Sequence, residues 1–294
     1  MKKALSTSLL LFLIGILYLI IIPVTTSAQK LPNIQEASLR APAGIKVDGK
    51  ATEWNNQFQA YNKATEIFYT ISNDDDKLYL AVQATDLDII NKIICAGITL
   101  TINGTGKMKD QGGIAITYPI IEIQNRQSGP SADLDNQFKL QADSFILALN
   151  AEFGSKAKDI RVEGVKEIPN HLISIYNPEG IKAAAYFDDK TNFTYELAVP
   201  LKYLGLSVSE SKPFVYNIKL RSLEGGYPGT VDFKGAPTDV GQPFIKALNV
   251  QRRSIKTIMF KSLDRENNTA IWGDRLLNLV NPTDFWGEYT LSKK

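Results

Sequence analysis

Short strand-like segments separated by turn residues constrain the fold of this chain more than any other feature. The clearest of them runs over residues 78–84, where the apolar side chains at even-numbered positions alternate with a second group of side chains at odd-numbered positions. Such alternation places the two sets on opposite faces of a β-strand. The residues Asn73 to Asp76 precede it, and Asn and Asp suit turns because their side chains bond the nearby backbone. The pattern therefore predicts a hairpin whose second strand has two distinct faces.

Further segments of the same kind follow along the chain, and a strand is also expected at 45–47 before the Asp48-Gly49 turn. By number, these segments are 98–102, 114–118, 160–164, 171–176, 181–187, 193–201, 214–220 and 289–291. Residues 131–151 instead have a rough helical period, with Ser131 or Asp133 as caps. About ten short strands and one helical stretch predict an all-β fold. The expected architecture is a two-sheet antiparallel β-sandwich, jelly-roll-like, with one short inserted helix.

The N-terminal residues 1–28 have the pattern of a signal peptide. Lys2 and Lys3 precede an apolar run over residues 9–22, and small residues end at Ala28. The alternative is a transmembrane anchor, but the run is shorter than the roughly 20 residues that a spanning helix needs. We therefore expect an exported protein, periplasmic or extracellular after cleavage near Ala28, with no transmembrane anchor in the mature chain.

The remaining residues are expected to form a single domain. Residues 29–44 are a short polar lead-in, and 45–294 have no internal repeat and no Pro/Ser-rich linker. Antiparallel sandwiches of this size commonly form one unit. The stretch at about 105–178 exceeds what a basic sandwich module needs, so it is interpreted as an insertion.

Charge and cysteine content exclude some classes of function. The chain has 33 basic and 31 acidic residues, and removal of Lys2 and Lys3 with the signal leaves the two numbers equal. A neutral protein has no electrostatic footprint for nucleic acid, so no nucleic-acid partner is expected. Cys95 is the only cysteine, so no internal disulfide can form and stability must come from a core.

Three patches of sequence, in this order, resemble the family 9 carbohydrate-binding modules and related exported β-sandwich domains. They are Val47-Asp-Gly with Glu53-Trp54; Asn73-Asp with Leu78-Tyr-Leu and Asp86; and residues 195–201 with Leu204, matched near the end by Phe285-Trp286. The resemblance implies a sandwich of two antiparallel sheets, often with bound calcium, and a sugar held by a pair of tryptophans. Stacking suits sugars because their apolar, slightly positive C–H face meets the negative face of an indole.

The aromatic residues in loop-like stretches are the candidate ligand-binding residues. Trp272 lies in a polar stretch, and Tyr227 lies in a Gly/Pro-rich loop that can present its ring. Trp54 is the third candidate, although its place after the Asp-Gly turn favours packing at the end of the sandwich. Trp286, next to Phe285, is interpreted as a core residue.

The acidic clusters are candidates for a structural calcium ion, because calcium prefers oxygen ligands. Among them, Asp86 and Asp88 are the predicted metal ligands, since Asp86 ends a strand where sandwich loops gather. The clusters at 74–76 and 188–189 are the others. None has the spacing of an EF-hand loop, and the alternative for all of them is an ordinary polar turn.

No catalytic motif is found, and no catalytic residue is assigned. The chain has no Gly-x-Ser-x-Gly elbow, zinc motif, Walker loop or Rossmann fingerprint, and its one histidine, His171, precedes a strand. We therefore predict a non-catalytic module for a carbohydrate ligand. The alternatives are a cell-envelope scaffold that binds a protein partner without sugar, and a glycoside-active enzyme with an unrecognised carboxylate pair. Glu53 adjoins a turn and Glu196 lies in a strand, but nothing in the sequence pairs them.

Overall fold

The computed structural model describes residues 30–121, 142–210, 212–221 and 281–294. The described residues from Pro32 onward belong to one compact unit. Within them no helix is long and apolar enough to cross a bilayer.

These residues form eleven strands in two antiparallel sheets. In chain order the strands are β1 (Ala60–Asn62), β2 (Ile67–Asn73), β3 (Lys77–Ala84), β4 (Ile98–Asn103), β5 (Ile114–Ile120), β6 (Asp159–Glu163), β7 (Leu172–Ser174), β8 (Lys182–Phe187), β9 (Phe193–Pro200), β10 (Phe214–Leu220) and β11 (Thr283–Tyr289). The five-stranded sheet has the order β1-β2-β3-β9-β8, and the six-stranded sheet has the order β11-β10-β4-β5-β6-β7.

The two sheets pack face to face around one large apolar core. Every second residue of β3 and β9 faces it, and the register pairs Leu80 with Leu197 at its centre. Across the core, the hydroxyls of Tyr69 on β2 and Tyr216 on β10 lie 3.0 Å apart. A sandwich is held together by apolar contacts between the inward-facing side chains of its two sheets. The predicted all-β, two-sheet antiparallel sandwich is therefore confirmed.

Three short helices join or cover the strands: α1 (Leu87–Ala96), α2 (Ala142–Lys156) and α3 (Leu201–Leu204). The helix predicted at 131–151 corresponds to α2, which extends five residues further; residues 131–141 lie outside the described residues. Helix α1 was not predicted, because its four isoleucines favour a strand by propensity. They lie at helical spacing and are all buried, which lets tertiary packing override that propensity; they are Ile89, Ile90, Ile93 and Ile94.

A second, smaller apolar cluster lies on the outer face of the five-stranded sheet. The chain before β1 contributes Ala51, Trp54 and Phe58, with Val47 and its neighbours at the margin. The sheet contributes the side chains that alternate with the core set, such as Ala81. Both faces of β3 are consequently buried, one against the main core and one under this N-terminal segment.

Other details differ from the sequence-based expectations. Residues 45–47 do not form a strand; they lie beside the outer cluster. The last strand is Thr283–Tyr289, earlier than the expected 289–291. Strand β5 continues through Pro119 to Ile120, with a register shift against β6. The stretch interpreted as an insertion, 105–178, supplies β5, β6 and β7 to the six-stranded sheet.

Candidate functional site

A cleft of about 390 Å³ opens on the outer face of the five-stranded sheet. Its size falls within the range of about 300–1,000 Å³ typical of small-molecule sites. Three parts of the chain line it. The N-terminal wall consists of Gly49, Lys50, Ala51, Thr52 and Asn56; the hairpin wall consists of Asp188, Asp189, Lys190 and Asn192; and the base consists of Gln83, Tyr186 and Thr194.

The N-terminal wall begins at a turn that only glycine fits. Gly49 has φ +83°, and a Cβ there would lie 2.5 Å from the backbone carbon of Ala185 on β8. This close approach lets the turn lie directly on the sheet. A 3₁₀ turn over Ala51–Trp54 follows, and the Trp54 side chain is buried against the outer face. The wall is thus held at one end by a tight turn and at the other by a large aromatic ring.

A buried carboxylate on β9 holds the same turn from below. Oε2 of Glu196 accepts hydrogen bonds from the backbone N–H groups of Asp48 and Gly49, both at 2.9 Å. Glu196 is 1% exposed. Burial raises the pKa of Glu196 to about 7, the two N–H donors oppose that rise, and the charges of Asp48 and Glu53 add to it. The structure therefore places Glu53 near enough to Glu196 for its charge to raise the pKa of Glu196. The sequence does not reveal this proximity.

The hairpin wall is held by bonds within its own loop. Oδ1 of Asp188 accepts hydrogen bonds from the backbone N–H groups of Lys190, at 2.9 Å, and Asn192, at 2.8 Å. Its Oδ2 accepts one from the Asn192 side chain at 2.9 Å. Asp188 thus shapes the loop between β8 and β9, while Asp189 beside it is exposed.

The base of the cleft combines an amide, a hydroxyl and one aromatic ring. Gln83 Nε2 donates to Thr194 Oγ1 at 3.1 Å across the β3–β9 pair. Tyr186 lies on β8, opposite Thr194 in the register. Lys50 Nζ is 4.7 Å from the centre of the Tyr186 ring, a distance at which a cation is attracted to the face of an aromatic ring. This contact joins the N-terminal wall to the base.

The lining is polar but carries no net charge. Its two lysines, Lys50 and Lys190, are balanced by Asp188 and Asp189. Amide and hydroxyl groups of Thr52, Asn56, Gln83, Asn192 and Thr194 make up most of the remainder. Such a set can donate and accept hydrogen bonds to a neutral polar ligand without favouring an ion of either sign.

Of the aromatic residues predicted as ligand contacts, Trp54 lies within the described residues, and it does not line the cleft. Trp54 is 8% exposed and packs with Tyr79, Ala81 and Ala198, so its ring is not presented to solvent as a stacking platform. Its contribution to the cleft is indirect, because it anchors the N-terminal wall. Trp272 and Tyr227 lie outside the described residues. Trp286 is half-buried on β11, in the other sheet.

The predicted metal ligands lie at the start of α1, and Asp86 is not one of the residues that line the cleft. The backbone carbonyl of Asp86 accepts the N–H of Ile90 at 2.9 Å, so Asp86 precedes the first helical turn. Asp88 belongs to that turn, and its side chain lies outside the described part of the chain. No group of three or more His, Cys, Asp or Glu side chains placed to hold a metal ion occurs within the described ranges.

The other acidic clusters have roles in turns and ion pairs. Asp74 accepts the backbone N–H groups of Asp76 and Lys77 and the hydroxyl of Tyr79, the last at 2.6 Å. Asp75 pairs with Arg40 at 2.6 Å and with Lys294 at 2.9 Å. The cluster at 188–189 is the one that lines the cleft. His171 lies at the β6–β7 turn, with Nδ1 3.1 Å from the carbonyl oxygen of Val162.

Sequence reasoning missed the base of the cleft. Gln83, Tyr186 and Thr194 carry no local signal, because each is one polar position in an ordinary strand. The turn at Asp48-Gly49 and the loop at 188–192 were both recognised as turns. Gln83, Tyr186 and Thr194 share the outer face of the neighbouring strands β3, β8 and β9. Their proximity can be predicted only when the strand order is known.

No family model, curated protein or solved structure matches this chain.

Proposed function

We propose that this chain is an exported, non-catalytic module that binds a neutral carbohydrate in the cleft between the N-terminal wall and the hairpin wall. The observation that carries the proposal is the composition of that cleft: hydrogen-bonding side chains of balanced charge surround one aromatic ring, Tyr186. The predicted signal peptide at 1–28 supports export, and the sequence resemblance supports a sugar ligand.

Sugar chemistry suits this lining. A sugar ring offers hydroxyl groups that both donate and accept, and the amides of Gln83, Asn56 and Asn192 can do the same. One face of the ring is apolar, and the Tyr186 ring can meet it. Lys50 lies over Tyr186, so a stacked ligand would replace this ammonium on the ring.

The acids in the lining favour binding over glycoside hydrolysis. A glycosidase needs two carboxyl groups facing each other across the scissile bond. Of the two acids that line the cleft, Asp188 already accepts three hydrogen bonds from its own loop. Glu196 is buried beneath the wall and does not line the cleft. We therefore propose recognition without turnover.

Titration calorimetry with a panel of neutral soluble oligosaccharides tests the proposal. At least one should bind with a dissociation constant below about 1 mM, the weak end of measurable affinity. Tyr186→Ala should weaken that binding about tenfold, as expected for loss of one stacking contact. Gln83→Ala should weaken it by a smaller factor, because one hydrogen bond is worth about 1 kcal/mol.

Tyr176 provides the matched control. It is 77% exposed and also lies under a lysine, Lys158, but it is not part of the cleft. Tyr176→Ala should leave the affinity unchanged. If no oligosaccharide binds, the sugar proposal is wrong. If binding is lost in Trp272→Ala or Tyr227→Ala but kept in Tyr186→Ala, the sugar site is on the predicted loops and not in the cleft.

A further inference from the structure

Glu196 occupies an unusual position for an acidic residue. It lies on the outer face of β9, between Ala81 of β3 and Ala184 of β8 in the register, and is 1% exposed. One oxygen, Oε2, accepts both N–H groups of the Asp48-Gly49 turn. The other oxygen, Oε1, is buried, and no residue in the described part of the chain forms a hydrogen bond with it. A buried carboxylate with one unsatisfied oxygen is costly, so its presence under the cleft wall needs a reason.

We propose that Glu196 is a proton-controlled positioning residue: the protonation of its buried carboxyl sets how firmly the Asp48-Gly49 turn, and with it the N-terminal wall of the cleft, docks on the sheet. The docking itself does not depend on any ligand. Only the consequence for sugar affinity rests on the proposed function.

The hydrogen bonds explain why protonation is compatible with docking. A proton on Oε1, the oxygen without a partner, leaves Oε2 able to accept from both Asp48 and Gly49. The docked geometry therefore does not need the negative charge. Loss of the proton strengthens the two bonds but places a full charge in a buried site, where no donor from the described ranges stabilises Oε1.

The surrounding charges oppose the ionised form. The carboxylates of Asp48 and Glu53, both on the docked segment, repel a charge on Glu196. The remaining ionisable groups on residues 45–58, β3 and β8 are Lys46, Lys50, Lys77, Tyr79, Lys182 and Tyr186. Within the described part of the chain none of these cations forms an ion pair with Glu196. Among the described residues, the ionised carboxyl thus has two N–H donors and no counter-ion.

The direction of the pH effect follows from this balance. The pKa of Glu196 is raised from its ordinary value to about 7, mainly by burial. A raised carboxyl pKa means that the docked state holds the proton more tightly than the undocked state. Docking is therefore most favourable at acidic pH, and that advantage is lost as the pH rises through about 7. The N-terminal wall should be firm in mildly acidic medium and looser in alkaline medium.

Hydrogen exchange at the two donated amides measures this directly. In the full chain without ligand, protection factors of the Asp48 and Gly49 amides, corrected for intrinsic exchange, should fall about tenfold between about pH 5.5 and about pH 8.5. The Asn192 amide, held by Asp188 in the other wall, should keep its protection over the same range. The signal of the Glu196 carboxyl carbon should titrate with a midpoint near pH 7, and the fall in protection should level off above that pH.

The variant Glu196→Gln removes the ionisation of this side chain while keeping its hydrogen bonds to the turn. The amide keeps a carbonyl oxygen for both N–H groups and cannot ionise, so protection at Asp48 and Gly49 should become independent of pH. Glu53→Gln, which removes one repelling charge, should move the midpoint of the transition to lower pH. Glu163→Gln, an exposed acid on β6, is the matched control and should change nothing.

Constant protection in the wild type between the two pH values would overturn the proposal. So would a pH dependence that persists in Glu196→Gln. Both measurements are made without sugar, so their failure leaves the sugar-binding proposal standing, and failure of the calorimetry leaves this one standing.

Discussion

The two walls of the cleft are held in opposite ways. The hairpin wall is held by Asp188, whose carboxylate accepts hydrogen bonds from residues two and four positions further along the chain. The N-terminal wall is held by Glu196, which is 148 residues from Asp48 and 147 from Gly49. One wall is a local structure and the other exists only after the sheet has assembled.

This difference predicts how each wall responds to amino-acid substitutions. A loop that bonds to itself loses little beyond its own contacts when one side chain is removed. A segment docked on a sheet through buried packing and a buried carboxylate is coupled to the stability of that sheet. Changes in the N-terminal wall should therefore lower the free energy of unfolding of the whole unit, and changes in the hairpin wall should remain local.

Trp54→Ala should have the largest effect. It removes the biggest buried side chain of the outer cluster, and aromatic-to-alanine changes in cores cost about 3–5 kcal/mol. Urea denaturation should show that loss as a lower midpoint with an unchanged slope. Trp286→Ala, at a half-buried position on β11, is the control and should cost about 1–2 kcal/mol.

An unchanged midpoint in Trp54→Ala would contradict the packing role of this residue. If such a stable variant also lost affinity for sugar, Trp54 would be a ligand contact after all, and the comparison of the two walls would fail.

Gly49→Ala should come second. The new Cβ would meet the backbone of Ala185 at 2.5 Å, and φ of +83° is strained for any residue with a side chain. Backbone strain and overpacking together should lower the free energy of unfolding by about 2–4 kcal/mol. Gly44→Ala isolates the strain, because Gly44 has φ +76° with nothing within 4 Å of the added carbon.

The two glycine variants should differ clearly in urea denaturation, with Gly44→Ala costing about 1 kcal/mol. Equal costs would mean that the Asp48-Gly49 turn does not lie tightly on β8, and the long-range character of this wall would be lost.

Asp188→Ala should have a smaller and local effect. It removes three hydrogen bonds in a loop that is partly exposed to water, so the free energy of locally opening this loop should fall by about 1–2 kcal/mol. Hydrogen exchange should become faster at the Lys190 and Asn192 amides and stay unchanged at Asp48 and Gly49. Faster exchange in both walls would show that they are coupled and not independent.

The same contrast explains what the sequence could reveal. Alternation over 78–84 and the turn residues at 188–192 act between near neighbours, so the strands, the hairpin loop and the sandwich class could be predicted. The partner of the Asp48-Gly49 turn could not, because Glu196 has the sequence context of an ordinary strand residue. Helix α1 was missed for a related reason: the packing of its isoleucines against distant strands decides its conformation, and their local propensity points to a strand.

The smallest effect is expected at the cation–π contact between the N-terminal wall and β8. Lys50 Nζ lies 4.7 Å from the Tyr186 ring centre, and exposed cation–π contacts contribute about 0.5–1 kcal/mol. A double-mutant cycle of Lys50→Ala and Tyr186→Leu in urea denaturation should give a coupling energy of that size. Lys158 and Tyr176, 5.6 Å apart, form a matched pair that should couple more weakly.

The same lysine should compete with a stacked sugar. Because the ammonium occupies the ring face that the ligand needs, Lys50→Ala should tighten oligosaccharide binding about two- to fivefold in calorimetry, the factor that corresponds to the lost contact. Lys190→Ala, which removes a lysine of the hairpin wall that has no ring contact, is the control and should give no such gain. Weaker binding in Lys50→Ala would mean that Lys50 donates to the ligand instead of yielding the ring to it. The N-terminal wall would then supply a second binding group to the ligand, beside Asn56.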